Sequence, residues 1–295
     1  MPKHSNTGEP GVAPTARRSA GTMFAALYGT LVPHAWRAPE SELDAYALFH
    51  HRSIAMGWLD DTSAGGGSED GMVRAPGLWG MNDAGWSHPL AAAGAGLISW
   101  FQVEAGVIAD DRPLPVQPFL RCAEAATARA GTAYLSAVQL LLPVQGLGFA
   151  TRPPYAPVPA VRTKEWFAEC APEAATAVEI DINSGQDRAV PAVAQQLADG
   201  VARWAQDVFG YRSHEVVGQE VVGHEVVGKG AGGQGAVIPP PFDDRFWNGP
   251  PLHGVVLRGE LAEWTVDAIG WLGEVIADIS AGLGVRSPLL LTVRR

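Results

Sequence analysis

The chain has 295 residues, enough to bury a large core as one domain or two. Hydrophobic residues make up 47% of it and charged residues 18%, which is typical of a globular protein and not of a disordered one. The formal net charge of -10 argues against nucleic-acid binding and against adsorption to anionic membranes, and two cysteines are too few for a disulfide scaffold.

The composition is rich in Ala, Gly, Pro and Arg and contains three lysines, which indicates a GC-rich bacterial genome such as an actinomycete's. Arg17 and Arg18 precede the apolar stretch 23–32 and suggest a twin-arginine export signal. That stretch is short and no A-x-A cleavage site follows it, so we expect a cytoplasmic protein instead. No apolar run in the sequence approaches the roughly 20 residues that a membrane-spanning helix needs.

The N-terminal segment 1–21 is polar, rich in Gly and Pro and aperiodic, and therefore predicts a disordered tail. Thr22 to Val32 predicts the first strand. A helix is expected to start near Pro39, because apolar residues then follow at helical spacing. His50, the first of three consecutive basic residues, lies on the apolar side of that helix. It is either a hydrogen-bonded core residue or a candidate catalytic base.

The stretch from Leu78 to Pro89 predicts an irregular loop that carries aromatic, acidic and imidazole side chains in a short space. Such a mixture is typical of a binding site and also of a loop that folds over a core. The loop supplies the first group of candidate ligand-binding residues, which are Trp79, Asn82, Asp83, Trp86 and His88.

Three further elements complete an N-terminal half, residues 22–145. Leu97 to Val103 predicts a buried strand, a modest helix follows from about Phe119 to Ala130, and Tyr134 to Val144 predicts a strong strand. The segment 146–160 is rich in Pro and Gly and predicts a linker between two halves.

The C-terminal half, residues 161–295, opens with an alternating strand at Val178 to Ile182. Glu179 and Asp181 on its polar face are either a solvated sheet face or a loose cation site, and the spacing that follows does not fit a calcium loop. Pro191 opens an amphipathic helix. Three copies of a five-residue unit within 214–228 then predict a flexible surface loop over residues 213–241.

The stretch from Phe242 to Gly254 is similar to the 78–89 loop in composition and also precedes a core strand. Arg245 and Trp247 are its candidate ligand-binding residues, and Asp243 and His253 are its candidate acid–base residues. If the two halves are related by a pseudo-twofold axis, the two loops line one cleft.

The C-terminal stretch predicts a strand at 255–257, a long helix from Glu260 to Ala281 and a strand at 288–293. Apolar residues recur on one side of this helix and acidic residues on another, so we expect a dry side and an acidic side. Trp264 and Trp271 lie at the border of the acidic side. Either they pack under a neighbouring loop or they form a subunit or partner surface, as in a homodimer.

The order of these elements predicts an α+β fold with two ferredoxin-like (split βαβ) halves. Their strands are expected to form one fused antiparallel or mixed sheet, with long amphipathic helices on one face. Residues 140–144 and 289–293 have similar sequences, and this short similarity supports an internal duplication. The alternative fold is an α/β layered sandwich.

The sequence lacks the G-x-x-x-x-G-K-[ST], H-E-x-x-H, paired C-x-x-C and G-x-S-x-G motifs, so we expect neither a cofactor nor a metal. The first function class is a non-catalytic module that binds a small apolar or aromatic ligand, or a protein partner, through the Trp-rich loops. The second is a cofactor-independent enzyme with an acid–base pair in a cleft between the halves. The candidate bases are His50, His88 and His253, and the candidate acids are Asp83 and Asp243.

Overall fold

The computed structural model describes residues 21–36, 44–60, 78–108, 112–148, 165–222, 225–228 and 238–295. The predicted tail up to residue 20, most of the predicted linker and residues 229–237 of the predicted repeat loop lie outside these ranges. The strands are β1 (Thr22–Pro33), β2 (Gly80–Gly85), β3 (Leu97–Glu104), β4 (Gly131–Leu142), β5 (Thr176–Asn183), β6 (Phe209–Val222), β7 (Glu225–Gly228), β8 (His253–Leu261) and β9 (Leu289–Arg294). The helices are α1 (Ala45–Ala55), α2 (Val116–Thr127), α3 (Ala189–Ala192), α4 (Ala194–Trp204) and α5 (Val266–Gly282).

All nine strands belong to one sheet, in the order β2-β3-β1-β4-β9-β5-β8-β6-β7. Every strand pairing in this sheet is antiparallel. The pairing of β4 with β9 joins the first four strands to the last five. The prediction of an α+β protein with one fused sheet is therefore confirmed, and the alternating α/β alternative is wrong because that class needs parallel strands.

The helices pack on one face of the sheet, which we call the helix face. The larger apolar core lies there, and the alternation of the strands supplies residues such as Leu140, Ile180 and Leu291 to it. The opposite face, which we call the loop face, carries a smaller apolar cluster that includes Phe24, Leu141 and Leu290. Residues of the segment 238–247 cover that cluster in place of a helix.

None of the helices in the described part of the chain combines the length and the apolar character that crossing a membrane requires.

Helix α5 begins later than the sequence predicts. Glu260 and Leu261 belong to β8, whose alternating pattern runs into the helical one. The helix starts after Thr265, whose side chain accepts a hydrogen bond from the backbone N–H of Ala268 at 3.2 Å. Thr265 is thus the N-cap, which satisfies a backbone donor that the first helical turn leaves without a partner.

Two predicted loops contain strands. Residues Gly80–Gly85 form the edge strand β2, and the irregularity between Met81 and Asp83 explains why its sequence shows no clean alternation. The first copy of the five-residue repeat and most of the second lie in β6, which pairs with β8 as far as Gly218. Residues 225–228 of the third copy form β7. Repeated pairs of valines suit a strand, so β propensity decides here over loop composition.

Candidate functional site

The two loops that the sequence marks as binding loops contact the same ring on the loop face. The centroid of the Phe24 ring of β1 lies 6.4 Å from that of His88, 4.9 Å from that of Phe242 and 6.3 Å from that of Phe246. Trp247, which is fully buried, belongs to the same cluster. Both loops therefore reach the same ring of β1, and the residues around it form a packed apolar layer.

The predicted ligand-binding residues are divided between the two faces of the sheet. Trp79 is buried in the helix-face core and Trp86 packs against that core, whereas Trp247 is buried on the loop face. The polar members of the set, Asn82, Asp83 and Arg245, are exposed. The structure does not bring these residues together into one site.

The three candidate histidines lie in separate environments. His50 stacks on Tyr46, with ring centroids 6.0 Å apart. Burial lowers the pKa of His88, and the charge of Asp83 opposes this; its Nδ1 accepts a hydrogen bond from the backbone N–H of Leu90. Burial also lowers the pKa of His253.

The charges that act on His253 come from its own end of the sheet. Arg188 lowers its pKa further and Asp187 opposes that effect. The carboxylate of Asp187 accepts a hydrogen bond from the Ser287 hydroxyl at 2.9 Å. Asp243, the acid proposed from sequence, instead caps a short helical turn by accepting from the backbone N–H of Arg245.

Both tryptophans of the predicted partner surface have packing contacts within the chain. Trp271 is fully buried, and its ring centroid lies 6.0 Å from that of Phe167. Trp264 is partly buried and donates its indole N–H to the backbone carbonyl of Leu135 at 3.0 Å. The guanidinium of Arg295 lies 5.5 Å from the centre of the Trp264 ring. These contacts place Trp271 in the core and tie Trp264 to β4.

A cleft that the sequence does not reveal lies on the helix face, between the end of α1, the start of α2 and the first turn of α5. Its volume is about 620 Å³. We call it the Trp166 cleft. It is lined by Met56, Gln117, Pro118, Arg121, Glu165, Trp166, Phe167 and Asp267. Clefts of this size commonly hold small molecules.

The apolar wall of the Trp166 cleft is unusually open to solvent. Trp166 is 71% exposed and Met56 46% exposed. The neighbouring Phe167 is buried and contacts Trp271, so it fixes the turn that presents Trp166. A large aromatic side chain kept in water beside a cleft marks a surface that gains from being covered.

The charged wall comes from the acidic side of α5. Arg121 of α2 forms an ion pair with Asp267, with 2.5 Å between Nε and Oδ1. Burial raises the pKa of Asp267, the charge of Arg121 opposes this and that of Glu263 adds to it. Partial burial and the charge of Asp267 likewise raise the pKa of Glu124. The acidic side therefore faces α2, and carboxylates outnumber the cation.

A row of polar side chains crosses the middle of the loop face. Asp181 of β5 pairs with Thr292 of β9, which pairs with Gln139 of β4. The Gln139 side chain donates to the Thr292 hydroxyl at 3.1 Å and accepts from the Tyr28 hydroxyl at 3.3 Å. Desolvation by burial raises the pKa of Tyr28. This row of polar side chains interrupts an otherwise apolar surface, and we call it the polar row.

Asp181 is the distinctive member of the polar row. It is only partly accessible, and its Oδ1 atom is buried without a hydrogen-bond partner in the described part of the chain. Burial raises its pKa from 3.8 to about 6; the charge of Arg294 opposes this shift and that of Glu179 adds to it. A carboxyl group that titrates near neutral pH is a common feature of functional sites.

Substitution of Asp181 by Asn is expected to remove a pH dependence of stability. Because the folded pKa is raised, folding favours the protonated form, and this contribution is lost as pH rises from 3.8 to about 6. The unfolding free energy of the variant relative to the native chain should therefore increase by roughly 2–3 kcal/mol across that range. Urea unfolding at a series of pH values measures this difference.

Glu179 lies two residues before Asp181 on the same face and serves as a control, because its pKa is shifted in the opposite direction. Burial alone would raise its pKa, but hydrogen bonds and charges from Arg294 and Arg258 outweigh burial and lower it. Its contribution to stability is present above its unfolded pKa and is lost as pH falls. Glu179→Gln should therefore be destabilised most at neutral pH. A pH-independent effect of Asp181→Asn would contradict the raised pKa.

Within the described residues no three His, Cys, Asp or Glu side chains are grouped closely enough to hold a metal ion. Comparisons of the chain with protein-family models, with curated proteins and with solved structures find no match.

Proposed function

We propose that this chain is a binding module whose Trp166 cleft takes a small aromatic or apolar molecule that carries a positive charge. The observation that carries the proposal is the 71% exposure of Trp166 on the wall of a cleft of about 620 Å³. Covering that ring and the Met56 side chain removes apolar surface from water, which favours an apolar or aromatic ligand.

The positive charge is inferred from the surroundings of the cleft. Glu165 and Asp267 line it, the charge of Glu263 acts on Asp267, and the charge of Asp267 acts on Glu124. Of the described residues that line the cleft, Arg121 is the one cation, and it is paired with Asp267. An excess of carboxylates beside an exposed indole ring favours a cation, which the ring face also attracts.

Replacement of Trp166 by Ala is expected to weaken the binding of an aromatic cation about 5- to 30-fold, because it removes roughly 1–2 kcal/mol of ring contact. The probe is the cationic dye thioflavin T, titrated by fluorescence. The anionic dye 1-anilinonaphthalene-8-sulfonate, titrated in parallel, tests the charge preference.

Trp36→Ala is the matched control, since Trp36 is 75% exposed and does not line the cleft. It should bind thioflavin T as the native chain does. Equal loss in both variants, or tighter binding of the anionic dye than of the cationic one, would overturn the proposal.

We also propose that the chain consists of two ferredoxin-like halves that arose by duplication. Each half has the element order strand, helix, strand, strand, helix, strand, if α3 and β7 are taken as additions. From the outside inwards the first half has the order β2-β3-β1-β4 and the second β6-β8-β5-β9, so corresponding strands occupy corresponding places. This correspondence supports a common origin of the halves.

The second candidate function is a cofactor-independent acid–base enzyme, and the partnerless buried oxygen of Asp181 favours it. A carboxylate with a pKa of about 6, next to Thr292 at the end of the polar row, suits a general base near neutral pH. If this is the function, the bell-shaped rate profile of the native enzyme should lose its acidic limb in Asp181→Asn.

A further inference from the structure

A second groove, of opposite charge to the Trp166 cleft, lies between α1 and α2. Its volume is about 660 Å³. The described residues that line it are Leu48, His51, Arg52, Ala55, Ala125, Ala126, Ala128 and Arg129. None of these lining residues is a carboxylate. We call this surface the basic groove.

The arginines of the basic groove differ from four others in the described part of the chain that are paired with carboxylates. Arg121, Arg212, Arg258 and Arg294 each form an ion pair with a Glu or Asp. Arg52 and Arg129 are exposed and form no ion pair with any described residue. Two unpaired guanidinium groups on one groove stand out in a chain whose formal net charge is -10.

Helix ends account for each arginine singly but not for both in one groove. Arg52 lies in the last turn of α1, and Arg129 follows the C-cap residue of α2, Ala128. A cation is favoured at such an end, where the helix dipole amounts to roughly half a negative charge. Two full positive charges therefore exceed the two half charges that they face, and His51 adds a further hydrogen-bonding group. The surplus is positive and open to solvent.

The floor of the groove suits a ligand that approaches the helices closely. Four of the lining residues are alanines, at positions 55, 125, 126 and 128. Because their side chains are short, a ligand can come close to the helix backbones between the arginines. Guanidinium groups recognise phosphate by paired N–H donors in a fixed plane. The short side chains between the two guanidinium groups leave room for the rest of a ligand molecule that carries the phosphate.

From these observations we infer that the basic groove is an anion site. Its ligand is a small molecule that carries a phosphate or diphosphate group held by Arg52 and Arg129. The site is separate from the Trp166 cleft and does not depend on the proposed function of that cleft.

The test uses the full chain and pyrophosphate as the probe. Binding is measured by isothermal titration and by the rise in melting temperature, against sodium chloride at equal ionic strength. Arg52→Gln and Arg129→Gln are each expected to weaken pyrophosphate binding roughly tenfold or more, because each removes charge-assisted hydrogen bonds. Without the probe, the melting temperature of each variant should stay within a few degrees of that of the native chain, because relief of repulsion between the cations offsets the lost interaction with the helix end.

Arg203→Gln is the matched control. Arg203 is exposed and lies in the last turn of α4, as Arg52 does in α1, but it does not line the basic groove. This variant should bind pyrophosphate as the native chain does. The inference is overturned if pyrophosphate stabilises the native chain no more than sodium chloride does, or if Arg203→Gln loses as much affinity as the groove variants. Thioflavin T binding by the groove variants should remain native in either case.

Discussion

Glu274→Gln is expected to be more stable than the native chain at alkaline pH and almost equal to it below about pH 4.5. Glu274 lies in the middle of α5 and is only 6% exposed. Its Oε1 accepts a hydrogen bond from the backbone N–H of Gln117 at 2.9 Å, so it caps the first turn of α2. Gln provides the same carbonyl acceptor without a charge, which makes the substitution close in shape.

The sign of the effect follows from the direction of the pKa shift. Burial raises the pKa of Glu274 from 4.5 to about 8; the hydrogen bonds from Gln117 and Val116 oppose the shift, and the charge of Asp278 adds to it. Folding therefore favours the protonated acid. Its contribution to stability is complete below the unfolded pKa and is lost as pH rises towards the folded one. The total loss in the native chain is roughly 5 kcal/mol, which the variant avoids.

Urea unfolding at several pH values between about 4 and 9 measures the difference between the two chains across the range in which Glu274 titrates. Glu173→Gln serves as the control, because Glu173 is exposed and lies far along the chain in a short turn. Its effect should stay below about 0.5 kcal/mol at every pH. A difference between Glu274→Gln and the native chain that does not change with pH would show that Glu274 has an ordinary pKa.

The same residue shows where periodicity stops being informative. The spacing of apolar residues after Thr265 predicted a helix with a dry side and an acidic side, and α5 has that pattern. Carboxylates on a helix normally face water, so nothing in the spacing indicates that Glu274 and Asp278 are buried. The burial of Glu274 depends on α2, which approaches closely at Gly270: a Cβ there would lie 2.7 Å from the Cα of Gln117. Such a contact is set by tertiary packing.

Strands were predictable where one face is continuously buried. β1, β3, β4 and β5 lie close to the predicted ranges because their apolar residues alternate or run together. The edge strand β2 was missed, since an irregularity at Met81 shifts its alternation. The repeat in β6 was interpreted as a surface loop because a five-residue period fits neither a solenoid nor a coiled coil, although its valines favour a strand.

The candidate binding residues stay a prediction, and their positions show a related limit of sequence patterns. Aromatic residues in loops were taken as binding residues, but Trp79 and Trp247 are core residues on opposite faces of the sheet. Trp166, which stands exposed on a cleft, lies six residues after the end of the predicted linker at residue 160, and no periodic pattern surrounds it. Its position depends on Phe167 and Trp271, which meet only in the folded chain.

Gly185→Ala is expected to destabilise the protein by about 3 kcal/mol or more, or to prevent its folding. Gly185 follows β5 and has a φ of +70°, a conformation that costs a side-chain-bearing residue roughly 1 kcal/mol. In addition, a Cβ at this position would lie 1.8 Å from the backbone oxygen of Asn248. That oxygen accepts a hydrogen bond from the Gln186 N–H at 2.8 Å, and the Asn248 side chain donates to the carbonyl of Ser184 at 2.9 Å.

Gly57→Ala separates the two causes. Gly57 has a φ of +73°, nearly that of Gly185, but a Cβ there would meet nothing within 4 Å. Its loss of stability should therefore contain the backbone cost alone, about 1 kcal/mol. Urea or thermal unfolding measures how much more stability Gly185→Ala loses than Gly57→Ala. That difference is the cost of the clash, which pushes the 184–188 turn away from the loop before β8. Equal losses in the two variants would mean that this loop moves aside freely. In that case its layer of aromatic residues over β1 is held by the contacts of Phe242 and Trp247, and not by the turn.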